Sequence, residues 1–240
     1  MKNNIPLPLI QFFSLFLLIA LPLPASAEDV KDIASRLQQR YDSIQSLSFD
    51  FVQDTRGQLS GRPKKGSGQA FFLKERDRQE GETKKIASGK MRWNYLAPER
   101  QVLLSDGKTF SMYFESLAQM IITPAETLEQ DLTYSFFTGS GNLLQDFNIL
   151  APDKTTDNSQ DGSIPIKLVP TARQSQVAAI HLWVTDDSLI RRMEILDHFD
   201  TLTVLNFTNL KVDNLDKKDV AQMKGLFTFT PPEGTEIIHQ

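Results

Sequence analysis

The period of the apolar pattern changes at Leu47, and that change limits the folds open to the chain. Before it, Val30, Ile33, Ala34, Leu37, Tyr41 and Ile44 recur at helical spacing, and Glu28 and Asp29 stand where a helix dipole favours acids. This predicts one amphipathic helix over Glu28–Gln45. After it, short runs alternate with period two, as in LSFDFVQ, QAFFL and GKMRWNY. The run RQVLLSDGKTFSMYF is two such arms around Asp106-Gly107, a strong hairpin signal. Further strands are expected over Glu115–Pro124, Pro165–Pro170, Val177–Val184, Leu189–Leu196, Thr201–Asn209 and Leu226–Thr230, roughly ten in all. Strands joined by tight turns pair antiparallel, whereas a doubly wound parallel sheet needs a crossover between neighbours. The expected fold is mainly β: a single, strongly curved antiparallel sheet with helices against one face.

Other stretches carry less pattern. Arg56–Gly68 reads as a Gly-rich basic tip, and Lys74–Lys85 as a mixed-charge loop. In Glu126–Phe147, Leu132, Tyr134 and Phe136 alternate, but Phe136-Phe137 and Leu143-Leu144 suggest short helices broken at Gly139 and Gly141. Lys211–Met223 is polar.

Residues 1–27 are read as a cleaved signal peptide. Lys2 supplies the positive start, Leu9–Leu23 is apolar, and Ala25-Ser26-Ala27 has the small-x-small cleavage pattern. Residues 28–240 are then the exported domain. Cysteine is absent, so disulfide staples, a lipidated cysteine, a thiol nucleophile and thiolate metal sites are excluded. The formal charge is −4, and it becomes −5 when Lys2 leaves with the signal; this speaks against nucleic acid as a partner and against a surface that clings to anionic lipid.

No catalytic set emerges, and no enzyme, metal site or cofactor is expected. Gly57 and Gly61 have the spacing of a nucleophile elbow, but Leu59 stands between them. His181, His198 and His239 are far apart, with no i, i+4 zinc pair. His198 reads as a solvated turn residue, and His181, on a strand, as facing water. The acids Asp186-Asp187, Asp197 and Asp200 read as turn residues.

The aromatic residues are more informative, because outside the signal they concentrate on the strands. Phe49, Phe51, Trp93, Tyr95, Phe110, Met112 and Phe114, if they share the concave face, lie opposite the apolar stripe of the first helix. They then build either an ordinary core or an adaptable apolar pocket.

Four stretches resemble the LolA family of periplasmic outer-membrane lipoprotein carriers: LQQRYDSIQSLSFDFVQ, GKMRWNYLAPERQVLLSDGKTFSMYF, FFTGSGNLLQDFNI and DVAQMKGLFTFTPPEGTEII. They occur in the family's order and span nearly all of the exported chain. The resemblance implies an incomplete barrel with an α-helical lid over its concave face. It implies an acyl-chain cavity of Leu37, Phe49, Phe51, Met91, Trp93, Tyr95, Phe110, Met112 and Phe114. The lid would comprise Ile33, Leu37, Tyr41, Ile44, Phe136, Phe137, Leu143, Leu144 and Phe147. The expected partners are acylated lipoproteins as cargo, an inner-membrane ABC transporter and an outer-membrane acceptor, served by a monomer in the periplasm. One departure stands out. Where the family carries an Arg-Pro pair that latches the lid, this chain has Ala87-Ser88. That keeps open a carrier or sensor of another lipid or glycolipid on the same fold.

Overall fold

The computed structural model describes residues 29–57, 62–74, 89–128, 132–138, 141–153, 162–172, 177–215 and 220–240. The expected signal peptide, nearly all of the mixed-charge loop, Gly139 and the Ala87-Ser88 pair lie outside the described residues.

Helix α1 (Val30–Ser43) starts at Asp29, whose carboxylate accepts from Lys31 N and caps it. It ends before Ile44, whose amide bonds back to Arg40 and Tyr41 carbonyls. Strand β1 (Ser46–Arg56) follows, then β2 (Lys64–Leu73), β3 (Lys90–Ala97), β4 (Gln101–Ser105), β5 (Thr109–Phe114) and β6 (Gln119–Pro124). After two short helices, α2 (Leu132–Thr138) and α3 (Leu143–Asp146), come β7 (Phe147–Leu150), β8 (Ile164–Pro170), β9 (Val177–Val184), β10 (Ile190–Asp197) and β11 (Leu202–Val212). Helix α4 (Val220–Leu226) and β12 (Glu236–His239) end the chain.

Among the described residues, twelve strands form one open sheet in the order β12, β6, β5, β4, β3, β2, β1, β11, β10, β9, β8, β7. Every neighbouring pair is antiparallel except β12 on β6, which is parallel. Register slips at Ser48/Asp50, Ser67/Gly68, Ile190/Arg192 and Leu196/Asp197 interrupt the ladders. Such irregularities bend strands and increase local twist, which is how a long sheet curls without closing.

Several expectations need correction. The basic tip is shorter than Arg56–Gly68, because β2 already begins at Lys64. Glu115–Leu117 is a 3₁₀ turn ending at Ala118 in the left-handed region (φ 47°), and β6 starts only at Gln119. The antiparallel sheet gains two edge strands that the pattern did not indicate, β7 and β12. His181 does not face water: its side chain is 15 % exposed, with Nε2 3.2 Å from Asp153 Oδ2, and Lys167 Nζ reaches the same carboxylate at 2.8 Å.

The segment expected as a last strand, Leu226–Thr230, is instead the end of α4 and an extended strap over the convex face. Val102, Leu104, Tyr113 and Met120 form a small apolar cluster there, with Phe229 packed on it 5.0 Å from the Tyr113 ring. Arg92 holds the strap by donating from Nη1 to the carbonyls of Leu226 (2.8 Å) and Thr228 (3.1 Å). Arg92→Ala is expected to cost about 1.5–3 kcal/mol, the usual worth of bonds to a charged group. Hydrogen exchange checks it: amides from Leu226 to His239 should speed up while those of β1 and β2 stay protected.

Candidate functional site

Register decides which side chains share a face, because residues directly opposite on paired strands point the same way. Phe49 pairs with Ala70 and Ala70 with Trp93; Trp93 pairs with Leu103 and Leu103 with Met112. Phe51 lines up through Gly68 with Tyr95, and Met91 through Ser105 with Phe110. Phe114, opposite Gln101, belongs to the same set. Phe49, Phe51, Met91, Trp93, Tyr95, Phe110, Met112 and Phe114 therefore occupy one face. Phe49, Phe51, Met91, Trp93 and Phe110 are buried, while Tyr95, Met112 and Phe114 are partly exposed.

This face forms an aromatic floor. Phe51 lies 4.7 Å from Trp93 and 4.9 Å from Tyr95, both edge to face. Phe49 lies 4.6 Å from Phe207, on β11. The Tyr95 hydroxyl donates to Gln53 Oε1 at 2.7 Å, and burial pushes its pKa up to about 12, so the ring stays neutral at any physiological pH.

Two covers lie over the floor, and they are held differently. Helix α1 packs on α3, β7 and β8 through Ile33, Leu37 and Tyr41, all buried. It is pinned at its C-terminal end. Ile190 N donates to the Tyr41 hydroxyl (3.2 Å), and the Lys74 ammonium donates to the Tyr41 carbonyl. Asp213 Oδ1 accepts from the amides of Gln45 (2.7 Å) and Ser46 (3.1 Å). Burial raises the Tyr41 phenol well above its usual range and lowers the Lys74 ammonium below its own.

Helix α2 sits over β2 and β3 and pushes its own aromatics into the trough. Phe137 stacks 4.8 Å from Phe72 and lies 5.6 Å from Phe49, and Phe136 lies 4.5 Å from Tyr41. The helix can come this close because residue 89 is glycine: a Cβ there would stand 2.6 Å from Thr138 Cβ. The Tyr134 hydroxyl completes the seat by donating to the Gly89 carbonyl at 3.0 Å. Between α1 and the α2–α3 connection stands Gln38. Its Oε1 accepts from Leu143 N (2.8 Å), and its Nε2 reaches Asp42 Oδ1 (2.8 Å) and the Gly141 carbonyl (3.4 Å).

Space remains beside α2. A cleft of about 180 Å³ is lined by Met91, Trp93, Tyr95, Leu103 and Phe110 of the floor, with Leu128, Tyr134, Leu205 and Gln53 around them. On the other side of α2 the packing is tight, leaving about 20 Å³ among Phe136, Leu143, Phe147, Leu168 and Leu182.

Not every expected cover residue covers. Leu144 is 48 % exposed, because the turn of α3 that buries Leu143 points its neighbour outward. Phe147 is buried but begins β7 rather than continuing a helix, and Ile44 is buried just beyond the end of α1. Of the residues around the cleft and its walls, Phe72, Leu103, Leu128, Leu205 and Phe207 are not singled out by sequence reasoning, and Tyr134 enters it only as part of an alternating run. Leu103, Leu205 and Phe207 were within reach: each alternates correctly on a strand that the pattern marks.

A profile of the family described as "Outer membrane lipoprotein carrier protein LolA" matches residues 42–230. The chain belongs to the LolA family. The outer-membrane lipoprotein carrier protein of Methylococcus capsulatus is 32 % identical to this LolA-family chain, covering 85 % of it and 86 % of the relative. Its counterpart from Nitrosomonas europaea is 25 % identical, covering 91 % and 92 % respectively. The solved structure of a LolA superfamily protein from Nitrosomonas europaea aligns with a TM-score of 0.40 at 14 % identity, over 85 % of this chain and 99 % of that one. Membership in the family rests on the sequence matches.

Proposed function

We propose that this chain is a periplasmic carrier that shields the acyl chains of lipoproteins in the apolar trough. In this reading it receives them from an inner-membrane ABC transporter and passes them to an outer-membrane acceptor, working as a monomer. Phe49, Phe51, Met91, Trp93, Tyr95, Phe110, Met112 and Phe114 supply the wall, Leu37 meets it from α1, and α2 is the cover that moves. The work is non-covalent.

The observation that carries this reading is the neutral aromatic floor with space left beside an inserted helix. Each buried methylene contributes about 0.8 kcal/mol, so a sixteen-carbon chain loses about 12 kcal/mol on entering water. A carrier has to offer comparable apolar area and still release its cargo. An apolar cavity of about 150 Å³ takes a benzene molecule, so a cleft of 180 Å³ takes about six carbons. A whole acyl chain enters only if Phe136 and Phe137 withdraw. The closed form keeps the trough covered, and cargo selects the open one.

The test is to purify the protein from its own periplasm and identify what accompanies it by mass spectrometry. Triacylated lipoprotein is the expected finding; a free lipid or glycolipid, reproducibly and alone, would replace this cargo with another. Phe110→Glu, on the cleft wall, is expected to lower the yield of solubilised lipoprotein at least tenfold. Binding equal to the parent's in a folded variant would remove the trough from the mechanism.

A further inference from the structure

We propose that the cleft beside α2 contains a binding site for an ester carbonyl, with the Trp93 indole N–H and the Gln53 side-chain amide as its donors. This rests on the carrier reading and names the part of an acylated ligand that the trough recognises. Trp93 is 7 % exposed and lines the cleft. The rings of Phe49, Phe51 and Phe72 stand around its indole at 5.7, 4.7 and 5.9 Å. They fix the indole in place but carry no oxygen or nitrogen. Among the described residues its N–H has no oxygen or nitrogen acceptor, and the indole nitrogen is not sealed inside the core. A buried donor without an acceptor is costly, and a buried tryptophan normally has one within reach of its N–H. A ligand in the cleft can bring that acceptor.

The second donor is positioned by a row of neutral groups. The Tyr95 hydroxyl donates to Gln53 Oε1 (2.7 Å), Gln53 Nε2 donates to Thr55 Oγ1 (3.1 Å), and Thr55 shares a hydrogen bond with Thr203 (3.2 Å). One of the two N–H groups on Gln53 Nε2 is left over among the described residues. Gly66, opposite Gln53, makes room for the Tyr95 ring: a Cβ there would stand 3.0 Å from Tyr95 Cε1. None of the residues lining the cleft is charged. A carboxylate buried there would lack a counter-charge, whereas a carbonyl oxygen needs only donors. Along the register the first cation is Lys64, exposed and opposite Thr55. The free donors also lie toward one end. Met91, Trp93 and Tyr95 follow one another along β3, at about 3.3 Å per residue. At the Met91 end, Phe110 and Leu128 offer only hydrocarbon, and the Tyr134 hydroxyl is committed to the Gly89 carbonyl at 3.0 Å. An acyl chain therefore lies along β3, with its tail toward Phe110 and its ester at Trp93 and Gln53.

The experiment sets monolauroylglycerol against dodecylglycerol, an ether with the same chain length and no carbonyl. Both compete with a fluorescent fatty acid for the protein as processed by its host. The ester is expected to compete at least fivefold better than the ether. Trp93→Phe, which keeps a ring and drops the N–H, should remove most of that preference while changing competition by the ether less than twofold. Gln53→Met should reduce the preference at least twofold. With a carbon-13 label in the carbonyl, infrared spectra of the parent complex should place the ester stretch below its position in liquid hydrocarbon. That spectrum decides the matter if Trp93→Phe fails to fold, since an ester stretch at the hydrocarbon position overturns the proposal. Equal competition by ester and ether, or a folded Trp93→Phe that keeps the preference, also overturns it and leaves the trough standing. Lauric acid competing better than the ester would assign the site to a carboxylate near Lys64 and overturn the ester. A protein that binds neither the fluorescent probe nor any competitor would sink the carrier reading as well.

Discussion

Replacing Phe49 by alanine will lower the unfolding free energy by about 3–5 kcal/mol, the usual cost of deleting a fully packed phenyl ring. Phe49 is 3 % exposed and has Phe72, Trp93, Phe137 and Phe207 within 6 Å, centroid to centroid. These neighbours sit on β2, β3, α2 and β11, so no single element can relax into the gap. Denaturant unfolding should show a lower midpoint with an unchanged slope. A loss below about 1 kcal/mol would mean that the cluster collapses easily and is not the keystone its geometry suggests. The same packing makes Phe49→Glu a poor probe of binding, since a carboxylate among four aromatic rings would have no partner and would unfold the sheet first. Phe110 borders the open cleft. A charge there has solvent within reach, which is why the binding test belongs at that position.

The strand faces were legible because a one-residue slip would turn every aromatic outward. With Trp93 and Tyr95 alternating against Arg92 and Asn94, one choice buries rings and the other buries charges. Both edge strands were hidden for different reasons. In β7, Phe147 and Ile149 alternate correctly, but four residues directly after the Leu143–Asp146 turn read as the tail of a helix. For β12 the signal lies in its partner: Ile237 and Ile238 have meaning only beside Met120 and Ile121 of β6, far away in sequence. The reverse error occurred at Phe227-Thr228-Phe229, where true alternation does not make a strand. Arg92 takes the carbonyls of Leu226 and Thr228, and Phe229 packs on the convex-face cluster instead. Within the site, the shared face of the strands could be read from alternation, whereas the helix lying over it was expected only from the family resemblance. Nothing in Phe136-Phe137 says which face of the sheet it enters; Gly89 and the reach of Tyr134 decide that, and both are contacts between distant parts of the chain.

Phe137→Ala should therefore bind an acyl probe more tightly than the parent does, although it removes an apolar side chain from the trough. In the proposed mechanism Phe137 of the closed form fills space that cargo needs, with Phe72 at 4.8 Å and Phe49 at 5.6 Å. Displacing it has a free-energy cost that any ligand must offset, so the apparent dissociation constant is the intrinsic one divided by the open fraction. If truncation removes about 2–3 kcal/mol of that closing energy, affinity rises roughly 30- to 150-fold. The gain stops where the open form already dominates. Global stability should fall less than in Phe49→Ala, because the cost is confined to the seat of α2 and not to the sheet beneath it. Titration with a fluorescent fatty acid measures the first effect, and hydrogen exchange in residues 132–138 against β1 and β2 measures the second. Binding that is unchanged or weaker, with the sheet still protected, would mean that Phe137 is part of the wall and that cargo enters without displacing it. The gate would then have to be sought at α1, where Tyr41, Lys74 and Asp213 would need to let go together, a larger and more cooperative opening.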